Sequence, residues 1–149
     1  MASSVNFDTT EVLNITCREG DTFSMTVTLK DSSGTGLTFV TDDYVFYMQV
    51  KSVSSSGNLR SGRTIERVVL QTPGITKNET SNTLLFESPT LDNSGNVTIE
   101  ASAETMSKIK PGTYAYDLKY VKPSSTGLDT HRGVLRGNFT VNSQVTDVF

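Results

Sequence analysis

The sequence predicts an all-β chain folded as a two-sheet antiparallel sandwich. Three observations carry this expectation. Apolar and polar residues alternate with period 2 in short runs, helical spacing is confined to one brief stretch, and clusters of Gly, Pro, Asn, Asp and Ser separate the runs.

Val12 to Cys17 is the first run, with Leu13, Ile15 and Cys17 on one face, and Arg18-Glu19-Gly20-Asp21 turns the chain into the second. Thr22 to Lys30 contains TFSMTVTL, in which Phe23, Met25, Val27 and Leu29 share a face and Ser or Thr stand between them. Burying each such apolar side chain is worth about 1.5–3 kcal/mol. One strand therefore contributes on the scale of a domain's net stability of about 5–15 kcal/mol, and a one-residue slip would expose all four side chains. Asp31 to Gly36, DSSGTG, reads as a turn, because Asp and Ser bond their own backbone and Gly accepts positive φ. In YVFYMQVK, Tyr44, Phe46, Met48 and Val50 are expected to face inward and Val45, Tyr47 and Gln49 outward.

Ser52 to Gly62 reads as a polar loop, TIERVVL from Thr64 as an edge strand whose Glu66 and Arg67 suit water, and Gln71 to Asn82 as a long polar connection. Strands follow at Thr83 to Phe86 and Val97 to Ala101, on either side of the turn Asp92-Asn93-Ser94-Gly95. Between Ser102 and Lys110, Met106 and Ile109 share the inner side of a short helical turn that Pro111-Gly112 ends. Thr113 to Val121 places Tyr114, Tyr116, Leu118 and Tyr120 on one face, and Gly133 to Val141 does the same with Leu135, Gly137, Phe139 and Val141. Seven or eight strands and one helical turn result. The segment SKIKPGTYAYDLKYV gives the sandwich an immunoglobulin-like character, since an apolar turn residue, Pro-Gly and then Tyr form a corner whose Tyr hydroxyl bonds nearby backbone. Tyr114 or Tyr116 would fill that place.

At 149 residues the chain fits a single sandwich domain, 1–149, with an N-terminal arm at 1–11 and a C-terminal tail at 142–149. Thirteen Lys and Arg against sixteen Asp and Glu leave a net charge of -3 with no long run of either sign, which argues against nucleic acid as a partner. No stretch approaches the roughly 20 apolar residues that span a bilayer, and MASSVNFDTTEV lacks the pattern of a secretory signal, so the expectation is a chain made in a cytoplasm with no membrane partner. The sequons at Asn14, Asn78, Asn96 and Asn138 are what a Ser- and Thr-rich chain generates by chance.

Catalytic patterns are missing. Cys17 is the single cysteine, which excludes an internal disulfide and a multi-Cys metal site. His131 is the single histidine and stands in GLDTHRG, read as an exposed loop, with no nucleophile and orienting acid spaced around it. Asp42 and Asp43 are sequence neighbours, while Asp21, Asp31 and Asp92 sit where Asp builds turns, so paired acid–base work is not expected. DSSGTG and DNSGN lack the spaced carboxylates of a calcium loop, and Gly34-Thr35-Gly36 lacks the third Gly and the helix of a dinucleotide fingerprint. The chain is read as a non-enzyme without cofactors.

Taken in order, ITCREGDTFSMTVTLKDSSG, YVFYMQVK, SGNVTIEASAETMSKIKPGTYAYDLKYV and THRGVLRGNFTVNSQVT resemble the immunoglobulin-like domain of phage baseplate upper proteins and related small phage virion structural proteins. The similarity runs from about Ile15 to Thr146 and rests on Gly20-Asp21-Thr22, Phe46 to Val50, Ala103 to Tyr114 and Gly137 to Val141. It implies a virion structural protein made in the host cytoplasm: an adaptor or accessory subunit of the tail, baseplate or fibre attachment, or a capsid decoration subunit. Its partners would be other virion structural proteins, in several copies of a symmetric assembly. The baseplate proteins continue into a long fibre-like region that does not follow here, which favours the adaptor or decoration role. Phe7 in the arm and Val145, Val148 and Phe149 in the tail lie outside the alternating strands, and they either anchor a neighbouring subunit or fold back on their own domain. The alternative function is a carbohydrate-binding module for host glycans, for which Tyr47 is the one outward-facing Tyr ring among the five.

Overall fold

The computed structural model describes residues 10–55, 64–75 and 83–148, without the side chains of 53–55 and 64–66. Its elements are β1 (Glu11–Val12), β2 (Ile15–Arg18), β3 (Phe23–Thr28), β4 (Val45–Ser55), β5 (Thr64–Gln71), β6 (Leu84–Leu85), β7 (Thr90–Leu91), β8 (Asn96–Ala101), α1 (Ala103–Ser107), β9 (Gly112–Lys122) and β10 (Thr130–Asn142). They form an all-β sandwich of two sheets with one short helix. The larger sheet has the order β1-β10-β9-β4-β5-β6, with β2 also on β10, and the smaller has the order β3-β8-β7.

The inward faces are those the alternation predicts. Tyr44, Phe46, Met48 and Val50 from the β4 segment, Tyr116 and Leu118 from β9 and Leu135, Phe139 and Val141 from β10 are buried. They meet Phe23, Val97 and Ile99 of the smaller sheet, and the half-buried Met25, Val27 and Leu29 pack against the same core. Phe39, from the connection before β4, stands edge-on to Phe46 with ring centroids 4.9 Å apart. Ser102 caps α1 by accepting the Thr105 N–H, and Met106 and Ile109 drop into the core, as their spacing requires.

Several expectations need correction. The larger sheet is mixed rather than antiparallel, because β1 and β2 run parallel to β10 and β5 runs parallel to β6. The turn after Arg18, with Gly20 at φ 80, carries the chain across to the other sheet, so β2 cannot form a hairpin with β3 and lies along the last strand instead. The run from Val12 to Cys17 is broken at Leu13-Asn14: Asn14 Oδ1 accepts the Asn138 N–H at 3.0 Å, and Leu13 turns outward to 46% exposure. Ser52 to Ser55 are strand, since they pair with Thr64 to Arg67 across the hairpin. The remaining loop at 56–63 lies outside the described residues. Of Thr83 to Phe86 only Leu84 and Leu85 are strand, while Thr90–Leu91 adds a short one on β8. His131 is not in a loop but pairs with Val121 inside β10, its side chain exposed.

Candidate functional site

The outer face of the larger sheet presents a groove with mixed chemistry. Strand register places Tyr47 opposite Lys119 and Gln49 opposite Asp117, with His131 beside Val121 on the next strand. All face away from the core because their alternates Phe46, Met48 and Leu118 are buried. From the connection after β5, Gly74 and Ile75 rise over the same face, and even a Cβ on Gly74 would reach within 3.6 Å of the Tyr47 ring. These residues enclose a groove of about 300 Å³.

Two residues that the sequence assigns to a long polar connection hold Gln49, Ile75 and Met48 from behind. Gln71 and Thr72 are buried. The Gln49 amide donates to Gln71 Oε1 at 2.9 Å, the Gln71 amide donates to the Ile75 carbonyl at 3.1 Å, and Thr72 Oγ1 accepts the Met48 N–H at 3.0 Å. Burial of these groups is sustainable because each finds a partner. The arrangement offers one aromatic ring together with a carboxylate, an amide, an ammonium and an imidazole, a set able to grip a small polar ligand that has an apolar ring face.

Three of the other acids serve turns. Asp31 Oδ1 accepts from the Ser33 hydroxyl at 2.6 Å and the Thr35 N–H at 3.0 Å, Asp92 Oδ1 accepts from the Asn96 and Ser94 N–H groups at 3.0 and 2.8 Å, and Asp42 accepts the Thr38 hydroxyl at 2.6 Å. These bonds, led by the Ser33 hydroxyl at Asp31 and the Asn96 N–H at Asp92, hold both carboxyls below the ordinary value of 3.8. Among the described residues no three His, Cys, Asp or Glu side chains come together.

Both Tyr114 and Tyr116 clamp backbone. The Tyr114 hydroxyl donates to the Lys110 carbonyl four residues upstream, and the Tyr116 hydroxyl donates to the Leu13 carbonyl at 2.6 Å. Burial pushes both phenols up, assisted at Tyr114 by the charge of Glu19. Cys17, on β2, donates weakly to the Thr140 carbonyl at 3.5 Å, and burial followed by the charge of Asp21 pushes its thiol up to about 11. It is therefore a protonated packing residue at neutral pH.

Of the residues expected to contact partners, Phe7 and Phe149 lie outside the described residues. Val145 and Val148 follow β10 and are 98% and 75% exposed, so neither folds back on its own core. The start of their segment is held to the β2–β3 turn, where Arg18 donates to the Ser143 carbonyl at 3.0 Å and the Gln144 N–H reaches Glu19 Oε1 at 3.5 Å. Neither Val145 nor Val148 lines the Tyr47 groove. Sequence alternation found Tyr47 but gave no signal for Gly74, Ile75 or His131 as its neighbours.

No family model matches the chain, and no curated protein matches it. Among solved structures, the chain is similar to one from work on T cell specificity and activation by the bacterial superantigen toxic shock syndrome toxin-1. That pair shares 9% identity over 86% of this chain and 92% of the other, with a TM-score of 0.43. It is also similar to a chain from work on multimeric cell-adhesive interactions of VGSC beta subunits, with 11% identity over 96% and 100% of the two chains and a TM-score of 0.32. Both likenesses are remote and concern the fold alone.

Proposed function

We propose that the chain is a non-enzymatic structural subunit of a phage virion, an adaptor or accessory piece of the tail, baseplate or fibre attachment or a capsid decoration, acting through protein–protein contacts. The observation that supports this most directly is the exposure of Val145 and Val148 just beyond a sandwich whose other large apolar side chains are mostly consumed by the core. Apolar side chains left in water beside an anchored strand end are suited to a neighbouring surface. The family resemblance from Ile15 to Thr146 supplies the virion context. The test is to express tagged wild type and a Val145→Asp/Val148→Asp variant during infection and quantify each in purified particles. A folded variant absent from particles agrees with the proposal; wild type that never enters particles, or a variant that enters equally, overturns it.

A second reading, a module for host glycans, is favoured by the Tyr47 groove with Asp117, Gln49 and Lys119 along it. Its test is a glycan array with wild type and Tyr47→Ala: binding lost on removing the ring supports it, and an array without any binding rejects it.

A further inference from the structure

The long strand edges of this sandwich are finished differently. Among the described residues β5 is covered only at Leu70 and Gln71, by β6, and Glu66 and Arg67 stand in the part these residues leave uncovered. Charged residues in an edge strand oppose pairing with another chain. β3 is the edge of the smaller sheet, and from Thr22 to Leu29 it holds neither a charged residue nor a proline. The Leu29 N–H donates to the Gly95 carbonyl at 2.7 Å, which with the β3–β8 register makes Phe23, Met25 and Val27 the hydrogen-bonded positions toward β8. Ser24, Thr26 and Thr28 therefore direct their backbone N–H and C=O groups along the free edge, where no partner stands among the described residues.

We propose that this edge pairs with the β3 edge of a second copy of the chain, antiparallel about a two-fold axis at Thr26. The strand is complementary to itself in that arrangement. Thr26 faces Thr26 and Ser24 faces Thr28, each pair exchanging both backbone hydrogen bonds. On the inner face Met25 meets Val27 and Phe23 meets Leu29, apolar against apolar, beside the grooves of about 400 and 410 Å³ that open along β3. The hydroxyl row on the outer face, where Thr26 and Thr98 oxygens are 3.0 Å apart, continues across the axis. The inference rests on the fold alone, so its failure leaves the virion reading untouched.

Sedimentation of the full chain from about 1 µM to about 1 mM should show a monomer–dimer equilibrium. Thr26→Glu, which sets like charges opposite each other, should raise the dissociation constant by about tenfold or more at low salt and less at high salt. Thr26→Pro removes an N–H that faces only the edge and should give a folded monomer. In a Cys17→Ser background, oxidation of Thr26→Cys should yield a covalent dimer, because paired Cα atoms lie about 5.5 Å apart; Thr98→Cys, one strand inward, should not. A wild-type chain that stays monomeric throughout, or a dimer indifferent to Thr26→Glu, overturns the proposal. So does a monomer whose Ser24, Thr26 and Thr28 amides gain exchange protection only when a different protein is added.

Discussion

Two closures flank the core, and they are made in opposite ways. At the α1 corner the contacts are local: Ser102 caps the turn, Met106 and Ile109 follow within seven positions, and Tyr114 reaches back to Lys110. Along β10 they are distant: β1 and β2 run beside the last strand, Tyr116 holds the Leu13 carbonyl, and Asn14 takes the Asn138 N–H. A local closure is fixed by neighbours in the sequence and costs little loop entropy, whereas the distant one joins residues 103 and 124 positions apart. The first is thus a property of a segment and the second a property of the whole fold.

The sharpest way to break the comparison is at the buried residues of the corner. Ile109→Ala should cost about 2–5 kcal/mol in denaturant unfolding, since Ile109 is almost fully enclosed and its removal leaves a cavity. Next, Gly137→Ala should cost about 1–3 kcal/mol by overpacking, because its Cβ would stand 2.4 Å from the Leu13 carbonyl oxygen. That loss should accelerate exchange of the Leu13 N–H, which bonds the Arg136 carbonyl at 2.8 Å, while leaving amides at α1 unchanged. Equal acceleration at both places would show that the closures open together.

Removing single hydroxyls sharpens the contrast further. Tyr114→Phe and Tyr116→Phe should each cost about 0.5–1.5 kcal/mol, but only Tyr116→Phe should speed alkylation of Cys17 at pH 8, where the wild-type thiol is protonated and half-buried. The smallest effect concerns Asp92, outside both closures. Its folded pKa lies below the ordinary 3.8, so the carboxylate stabilises the fold above that value and the benefit disappears as pH falls through the folded pKa. The Tm difference between wild type and Asp92→Asn should accordingly be present at pH 7 and shrink below about 3.8; a difference that grows in acid would contradict the turn geometry.

The same division decides what the sequence reveals. Tyr44, Phe46, Met48 and Val50 were readable as a buried face because period 2 is a property of the strand itself. Met106, Ile109 and the Pro-Gly-x-Tyr corner were readable for the same local reason. Leu13 was misplaced because the alternation from Val12 to Cys17 continues unbroken through a kink that Asn138 and Gly137, over a hundred residues away, impose. Gln71 and Thr72 read as part of a polar connection, and their partners Gln49, Ile75 and Met48 make burial tolerable. Within the candidate groove the outward position of Tyr47 was legible, whereas Gly74, Ile75 and His131 reach it through register and chain path.

The parallel seam between β2 and β10 has a mechanical meaning. Ile15 to Arg18 advance in the same direction as Phe139 to Asn142, so tension drawing the chain backward before β1 and forward after β10 slides the two strands past each other. Cross-strand bonds loaded in that shear geometry resist together, instead of giving way one after another as in a peeled hairpin.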